Sequence, residues 1–156
     1  MRMYIETKRL IIRNFEIEEA QDLNKILSDA EVMKYIEPTF DMEKTFNFIR
    51  EYGACENPLV YAAVLRETGR VIGHIIYHPY DKTSYEIGWV LSRAYWGRGI
   101  ADEITKALVE HSKDKAESCV IECDESQKIS CHIALKNGFK YESRQDGLVT
   151  YRLKLK

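Results

Sequence analysis

The stretch YWGRGIA, residues 95–101, sets Gly97 and Gly99 on either side of Arg98, where an apolar, aromatic strand pattern gives way to a helical one. Glycines at such a junction let backbone and ligand approach without interference from a Cβ. The first turn of the following helix leaves N–H groups without intrahelical partners and carries a partial positive charge. That is the chemistry of anion binding, with pyrophosphate as the natural guest and Arg98 as an added charged donor. No Gly-Lys-Ser/Thr follows, so the stretch is not a Walker loop, and Asp102 stands where a dinucleotide fingerprint has its third glycine. The plainer alternative is a well-capped helix start with Asp102 and Glu103 as first-turn acids.

Carboxylates, thiols and imidazoles supply the other candidates. In SYEIGWVL (84–91), Glu86 alternates with Tyr85, Ile87 and Trp89, so it points away from the aromatic face. Glu122 stands near the end of SCVIEC (118–123). Either carboxylate can take a proton, and either can equally be a solvated strand residue. Cys55, Cys119, Cys123 and Cys131 are too unevenly placed for a disulfide framework. A zinc set of Cys119, Cys123, Cys131 and His132 lacks the short knuckle spacings, so no metal is expected. Cys131 and His132 are helix neighbours that point in different directions, and no Gly-x-Ser-x-Gly elbow is present. His74 and His78 share a face of RVIGHIIYH with Ile72 and Ile76, where packing is the plainer role and substrate contact the sharper one.

The elements that must position these residues follow from hydrophobic period. TKRLIIRNF (7–15) reads as a first strand. Ile17, Ala20, Leu23, Ile26 and Leu27 recur at helical spacing from Glu16 to about Ser28. A second helix is expected over 41–52, with Asp41 as N-cap, Phe46 and Ile49 on its buried side, and Gly53 closing it. LVYAAVL (59–65), RVIGHIIYH (70–78) and SYEIGWVL then form three strands in an antiparallel meander. A helix from Ile100 to about Lys113 crosses over to SCVIEC, so the strands ending at Leu91 and Cys123 should lie parallel. A helix from about Gln127 to Lys136, ended by Asn137 and Gly138, leads to a final pair, FKYES and VTYRLKL. The order is βααβββαβαββ, an α/β (α+β) fold of one domain, 1–156, around a mixed sheet with helices on both faces. The open carboxyl end of the Leu91 strand, where YWGRGIA falls, is where such a sheet takes a ligand.

Composition narrows the class. With 45% hydrophobic and 31% charged residues and a net charge of −2, the chain has the balance of a soluble globular protein and lacks the basic excess of a nucleic-acid binder. No apolar run approaches the roughly 20 residues of a membrane span, and MRMYIETKRL lacks the apolar stretch of a signal peptide, so a cytoplasmic protein without membrane contact is expected.

With these elements in place, the sequence resembles the GNAT superfamily of acetyl-CoA-dependent N-acetyltransferases, in particular the ribosomal-protein N-terminal (Rim-type) branch. ETKRLIIRNF resembles the branch's opening strand, YEIGWVLSRAYWGRGIADE its strand, pyrophosphate loop and helix, and SQKISCHIALKNGFKYE its closing segment. The resemblance implies that Trp89, Val90 and Leu91 offer backbone groups to the pantetheine arm. It also implies that the amides of Gly97, Arg98, Gly99, Ile100, Ala101 and Asp102 hold the pyrophosphate. Trp96 stands where the wider superfamily has Gln or Arg, and Gln127 where Asn is usual for a cofactor contact. Ala134 replaces the tyrosine that many members use to protonate the leaving thiolate, and Ser130 matches the branch's serine.

Acetyl transfer to an amine needs an uncharged nucleophile, a polarised thioester carbonyl and a proton for the departing sulfur. The resemblance therefore implies Glu86 or Glu122 as base and Ser130 as the proton donor, with a helix-surface hydroxyl as the bland alternative for Ser130. A backbone N–H near Val90 or Leu91, freed by a strand bulge, would polarise the carbonyl. Tyr77, Tyr80 and Tyr85 are candidates to line the acceptor cleft. The expected activity is direct transfer from acetyl-CoA to a primary amine, on a protein N-terminus or a small molecule, in a chain that can form a homodimer. An inactive module that senses acyl-CoA is the alternative.

Overall fold

The computed structural model describes residues 2–156. Strand β1 (Tyr4–Glu6) and β2 (Leu10–Arg13) come first, then α1 (Ala20–Leu27), α2 (Ala30–Met33) and α3 (Met42–Tyr52). Strands β3 (Val60–Leu65), β4 (Val71–Pro79) and β5 (Ser84–Leu91) follow, and then α4 (Ile100–Ser112) and β6 (Ser118–Asp124). The chain closes with α5 (Lys128–Lys136), β7 (Lys140–Gln145) and β8 (Leu148–Lys154). Eight strands form one sheet in the order β1-β2-β3-β4-β5-β6-β8-β7, with helices on both sides. Strands β5 and β6 pair in parallel, as a helical crossover requires, while β6 and β8 pair antiparallel, so the sheet is mixed.

Two compact units are distinguishable, one made of the chain up to Ile76 with Trp89–Arg98, the other of Tyr77–Gly88 with Gly99–Lys156. In the first, a reciprocal capping box between Glu16 and Glu19 opens the single 3-10 turn Ile17–Glu19 that leads into α1, and Arg13 clamps Glu19 at 2.6 Å. Asp41 caps α3 by accepting the Lys44 N–H at 2.8 Å, and Gly53 ends it. A Cβ on Gly53 would meet the Phe15 ring at 3.0 Å, so the helix stop is also a packing contact. Phe15, Leu23, Leu27, Ile49, Val60 and Val90 lie in this unit's core. In the second unit, α4 and β6 bury Ile104, Leu108 and Val120 completely. Tyr77 stacks on Tyr85 with centroids 4.8 Å apart and bonds Ser112 of α4 at 2.7 Å, which fixes one face of β5 against that helix.

Three expectations change. The opening region is two strands, because Thr7 accepts the Leu10 N–H through its hydroxyl and turns the chain between Glu6 and Leu10. A short extra helix, α2, starts at Asp29, whose carboxylate accepts the Glu31 N–H. Phe46 is exposed, not buried; on α3 the core-facing positions are Thr45 and Ile49, and Thr45 is held there by Asn24 at 2.9 Å.

Candidate functional site

The loop after β5 is shaped by its glycines. Gly97 has φ +71° with open space where a Cβ would stand, and Gly99 has φ +78° as the N-cap of α4. Both angles lie in the left-handed region that L side chains rarely adopt. Gly99 has no side chain to cap the helix, so the first-turn amides of Ile100, Ala101 and Asp102 keep their capacity to bind an anion. Trp96, Gly97, Arg98 and Gly99 are all exposed. Arg9 donates from Nη1 to the Arg98 carbonyl at 2.8 Å, which turns that oxygen toward protein and pins the loop. The Arg98 guanidinium lies 5.4 Å over the Tyr95 ring. Upstream, Arg93 grips both carboxylate oxygens of Asp29 at 3.1 and 3.2 Å.

The strand feeding the loop is tightly placed. A Cβ on Gly73 of β4 would sit 2.2 Å from the Val90 carbonyl oxygen and 3.0 Å from the Leu91 Cα, so only glycine fits there. Ser92 then donates its N–H to the Ile72 carbonyl at 2.7 Å. The Trp96 indole N–H donates to the Leu91 carbonyl at 3.0 Å. That carbonyl is engaged within the protein, which narrows the backbone groups this segment can offer a ligand. Trp89 is half-buried, and Val90 and Leu91 are buried. Sequence reasoning passed over Gly73, although a glycine inside a strand pattern is itself the signal of a close backbone approach.

The Asp102 carboxylate is engaged by Lys106, Lys136 and Asn137. Burial acts to raise its pKa, but hydrogen bonds from Lys106 and Asn137 outweigh that cost and hold the carboxyl below its usual value. Asn137, the C-cap of α5, reaches Asp102 at 2.7 Å and so ties the end of α5 to the first turn of α4. Gln127 uses its side-chain oxygen to accept the Asp124 N–H at 2.9 Å, so it shapes the turn into α5.

The two carboxylates share a sheet face. Glu86 pairs in register with Val120, two residues before Glu122 on β6, and alternation puts all three on one side. Glu122 accepts through Oε2 from the Tyr80 hydroxyl at 3.0 Å and from the Thr150 hydroxyl at 3.2 Å. Burial, and then the bond to Glu122, raise the Tyr80 pKa, so Tyr80 remains a donor. Among the described residues, Glu86 has no such donors. Its side chain is 19% exposed, and His78 Nε2 lies 3.6 Å from its Oε1. Burial raises the Glu86 carboxyl above its ordinary value, His78 pulls it down, and the charge of Glu122 pushes it up. This is the behaviour of a base poised nearer neutrality than a free glutamate.

Arg152 of β8 lies on the same face. It donates to the hydroxyls of Ser84 and Ser118 at 2.7 and 2.8 Å and binds Glu142 at 2.6 Å. It also pairs with Asp81 at 3.7 Å, so its charge is committed away from Glu86 and Glu122. Thr150 is the residue of this cluster that sequence reasoning missed, while Tyr80 and His78, read as candidates to meet the acceptor, are found bonded to Glu122 and beside Glu86. Their signal was the register of β4, β6 and β8, which spacing along the chain does not reveal.

Other candidates fall outside the cluster. Ser130 is half-buried in the first turn of α5, and no hydrogen bond links it to Glu86 or Glu122 among the described residues. Ala134 is fully buried, and His132 is exposed. His74 is buried against Phe48, with ring centroids 5.1 Å apart, and its Nδ1 has no partner. Burial lowers its pKa to about 4, which keeps it neutral. All four cysteines are free thiols; Cys123 lies 3.5 Å from Cys131 and is pushed up to about 12 by burial and that contact. Among the described residues, no group of three or more His, Cys, Asp or Glu side chains could hold a metal ion, and no helix is long and apolar enough to cross a membrane.

Residues 9–140 match the family described as "Acetyltransferase (GNAT) domain". The protein "Uncharacterized N-acetyltransferase YnaD" of Bacillus subtilis (strain 168) is 38% identical over 111 residues, which cover 70% of this chain and 65% of that protein. "Uncharacterized N-acetyltransferase p20" of Bacillus licheniformis is 28% identical over 153 residues, 92% of this chain and 83% of that one. Among solved structures, the acetyltransferase (GNAT family) from Bacillus anthracis superposes with a TM-score of 0.89 at 27% identity, covering 98% of this chain and 99% of that chain.

Proposed function

Because this chain belongs to the GNAT acetyltransferase family, whose domain spans residues 9–140 and whose members use acetyl-CoA as cosubstrate, we propose that it transfers the acetyl group of acetyl-CoA directly to a primary amine, as a single domain over 1–156. The observation that carries this reading is Glu86, a mostly buried carboxylate with a raised pKa, on the strand that runs into the glycine loop. The acceptor arrives as an ammonium ion and must lose a proton before its lone pair can attack. Glu86 takes that proton. Glu122, already accepting from Tyr80 and Thr150, attracts the ammonium.

The chain's backbone does the rest. Positive-φ Gly97 and Gly99 bare the amides of residues 97–102 to the pyrophosphate, and the dipole of α4 favours the anion. Trp89, Val90 and Leu91 pair with the amide-bearing arm as an added strand, and an N–H of Val90 or Leu91 polarises the thioester carbonyl. Gln127 orders the turn into α5, and Ser130, one turn on, supplies the proton to the departing sulfur.

Two acceptor classes fit, a protein N-terminus and a small amine; a homodimer is compatible with either. The test is an acetyl-CoA turnover screen against peptides with varied N-termini, polyamines, amino acids and aminoglycosides. Release of CoA with at least one amine is expected, and the Glu86→Gln, Glu122→Gln double variant should bind acetyl-CoA normally while losing turnover. Tight CoA binding with no turnover on any amine would sink the reading in favour of a cofactor sensor.

A further inference from the structure

We propose that His78 is a positioning residue for this reaction: its Nδ1–H is tied to the Pro79 carbonyl, its Nε2 faces Glu86, and it receives the proton that Glu86 takes from the acceptor amine. The proposal rests on the acetyl-transfer reading above.

The ring's orientation is set by one hydrogen bond. His78 Nδ1 lies 2.9 Å from the Pro79 carbonyl oxygen. A carbonyl only accepts, so Nδ1 must carry the hydrogen, and in the neutral ring Nε2 is left with a lone pair. That nitrogen lies 3.6 Å from Glu86 Oε1. The separation is longer than a hydrogen bond and closes with a small side-chain rotation or across one water.

The charges around Glu86 give His78 its importance. From β6 comes the Glu122 carboxylate, held by Tyr80 and by Thr150 of β8. From β8 comes Arg152, whose charge is committed to Glu142 and Asp81. The ion-pair partner of Glu86 among the described residues is His78 alone. A proton left on Glu86 would block the next turnover, and one accepted by His78 becomes an imidazolium beside a restored carboxylate. His74, four positions earlier on the same strand, shows the contrast: it is buried, its Nδ1 has no partner, and it faces no carboxylate among its described contacts.

The proton balance is simple. An N–H bond of the ammonium breaks as an O–H bond forms on Glu86. That O–H bond then breaks as an N–H bond forms on His78 Nε2, and the imidazolium releases its proton to bulk water. The freed amine forms the C–N bond and the C–S bond breaks; the second N–H bond of that nitrogen breaks as the amide forms, and its proton passes to the departing thiolate.

The experiment uses the full chain with acetyl-CoA and whichever amine the wild type accepts. His78→Gln should lower kcat/KM by about a hundredfold, the low end for a lost proton-transfer step, with KM for acetyl-CoA within twofold. The acid limb of the kcat/KM profile should move to higher pH, because the imidazolium, whose charge pulls Glu86 down whenever the ring is protonated, is gone. Added imidazole should restore part of the activity of His78→Ala, and His78→Gln should cost nothing further in a Glu86→Gln background. Ring-nitrogen NMR of the wild type should show the proton on Nδ1 in the neutral state. An active His78→Gln with an unchanged pH profile, an unrescued His78→Ala, or an Nε2–H tautomer would each overturn the proposal alone. No turnover by the wild type with any amine would overturn the acetyl-transfer reading and this proposal with it.

Discussion

Gly97 and Gly99 lie two positions apart in one exposed loop, whereas Glu86 and Glu122 come from different strands and acquire their properties from Tyr80, Thr150 and His78. The loop works through backbone angles that each glycine sets locally. The carboxylate cluster works through desolvation and neighbouring charge, which exist only once the sheet is assembled. Damage to the first should therefore appear as lost affinity for the anion with ordinary pH behaviour, and damage to the second as altered rate and altered pH behaviour with ordinary affinity.

The largest effect is expected from Glu86→Gln, a fall in kcat of about a hundredfold to ten-thousandfold with acetyl-CoA affinity unchanged by calorimetry. The same variant should melt at a higher temperature than wild type near pH 7. The raised carboxyl binds its proton more tightly in the folded than in the unfolded state, so its contribution to stability is present at low pH and lost as pH rises through the folded pKa. Glutamine removes that loss, and the melting gap should narrow as the pH falls.

Next comes Gly99→Val, which forces a β-branched residue to φ +78°. A cost of about 1–2 kcal/mol is expected, read as a roughly tenfold weaker acetyl-CoA dissociation constant, a lower melting temperature, or both. If this variant instead shifted the pH profile and left affinity alone, the division between loop and cluster would fail.

Glu122→Gln should act through its neighbour. Removing that negative charge lowers the Glu86 pKa, so the acid limb of kcat/KM should move to lower pH, opposite to the shift expected for His78→Gln. The smallest effect is expected from Arg98→Ala. Its guanidinium rests over Tyr95, and in the proposed division of labour the amides bear the anion, so acetyl-CoA affinity should fall by less than tenfold. Abolished binding would move the burden from backbone to side chain.

The same contrast explains what the sequence disclosed. Strands β3 to β6 and helices α4 and α5 were legible because each carries its own period and its own stop, such as Asn137 and Gly138 after α5. The glycine loop was legible because conformation and residue type coincide at one position. Tyr4–Glu6 was too short to show a period, and α2 too short to show a face. Phe46 misled because it stands three residues before Ile49 and so near the same helix face, while Thr45, four residues before, holds the core position through Asn24. The distinction between Glu86 and Glu122 was illegible for a stronger reason. Both are strand glutamates, and only register decides that one meets two hydroxyl donors and the other an imidazole.

The bond from Arg9 to the Arg98 carbonyl bears on how the chain matures. As the protein leaves the ribosome, Arg9 is available long before residue 98 appears, and closing that long loop is slow but increases only gradually in entropic cost with length. The part of the loop held by Arg9 can thus be pinned once residue 98 emerges, whereas Asp102 must wait for Asn137 and Glu122 for Thr150. On the proposed roles, a nascent chain would begin to shape its cofactor loop before it could assemble its carboxylate cluster.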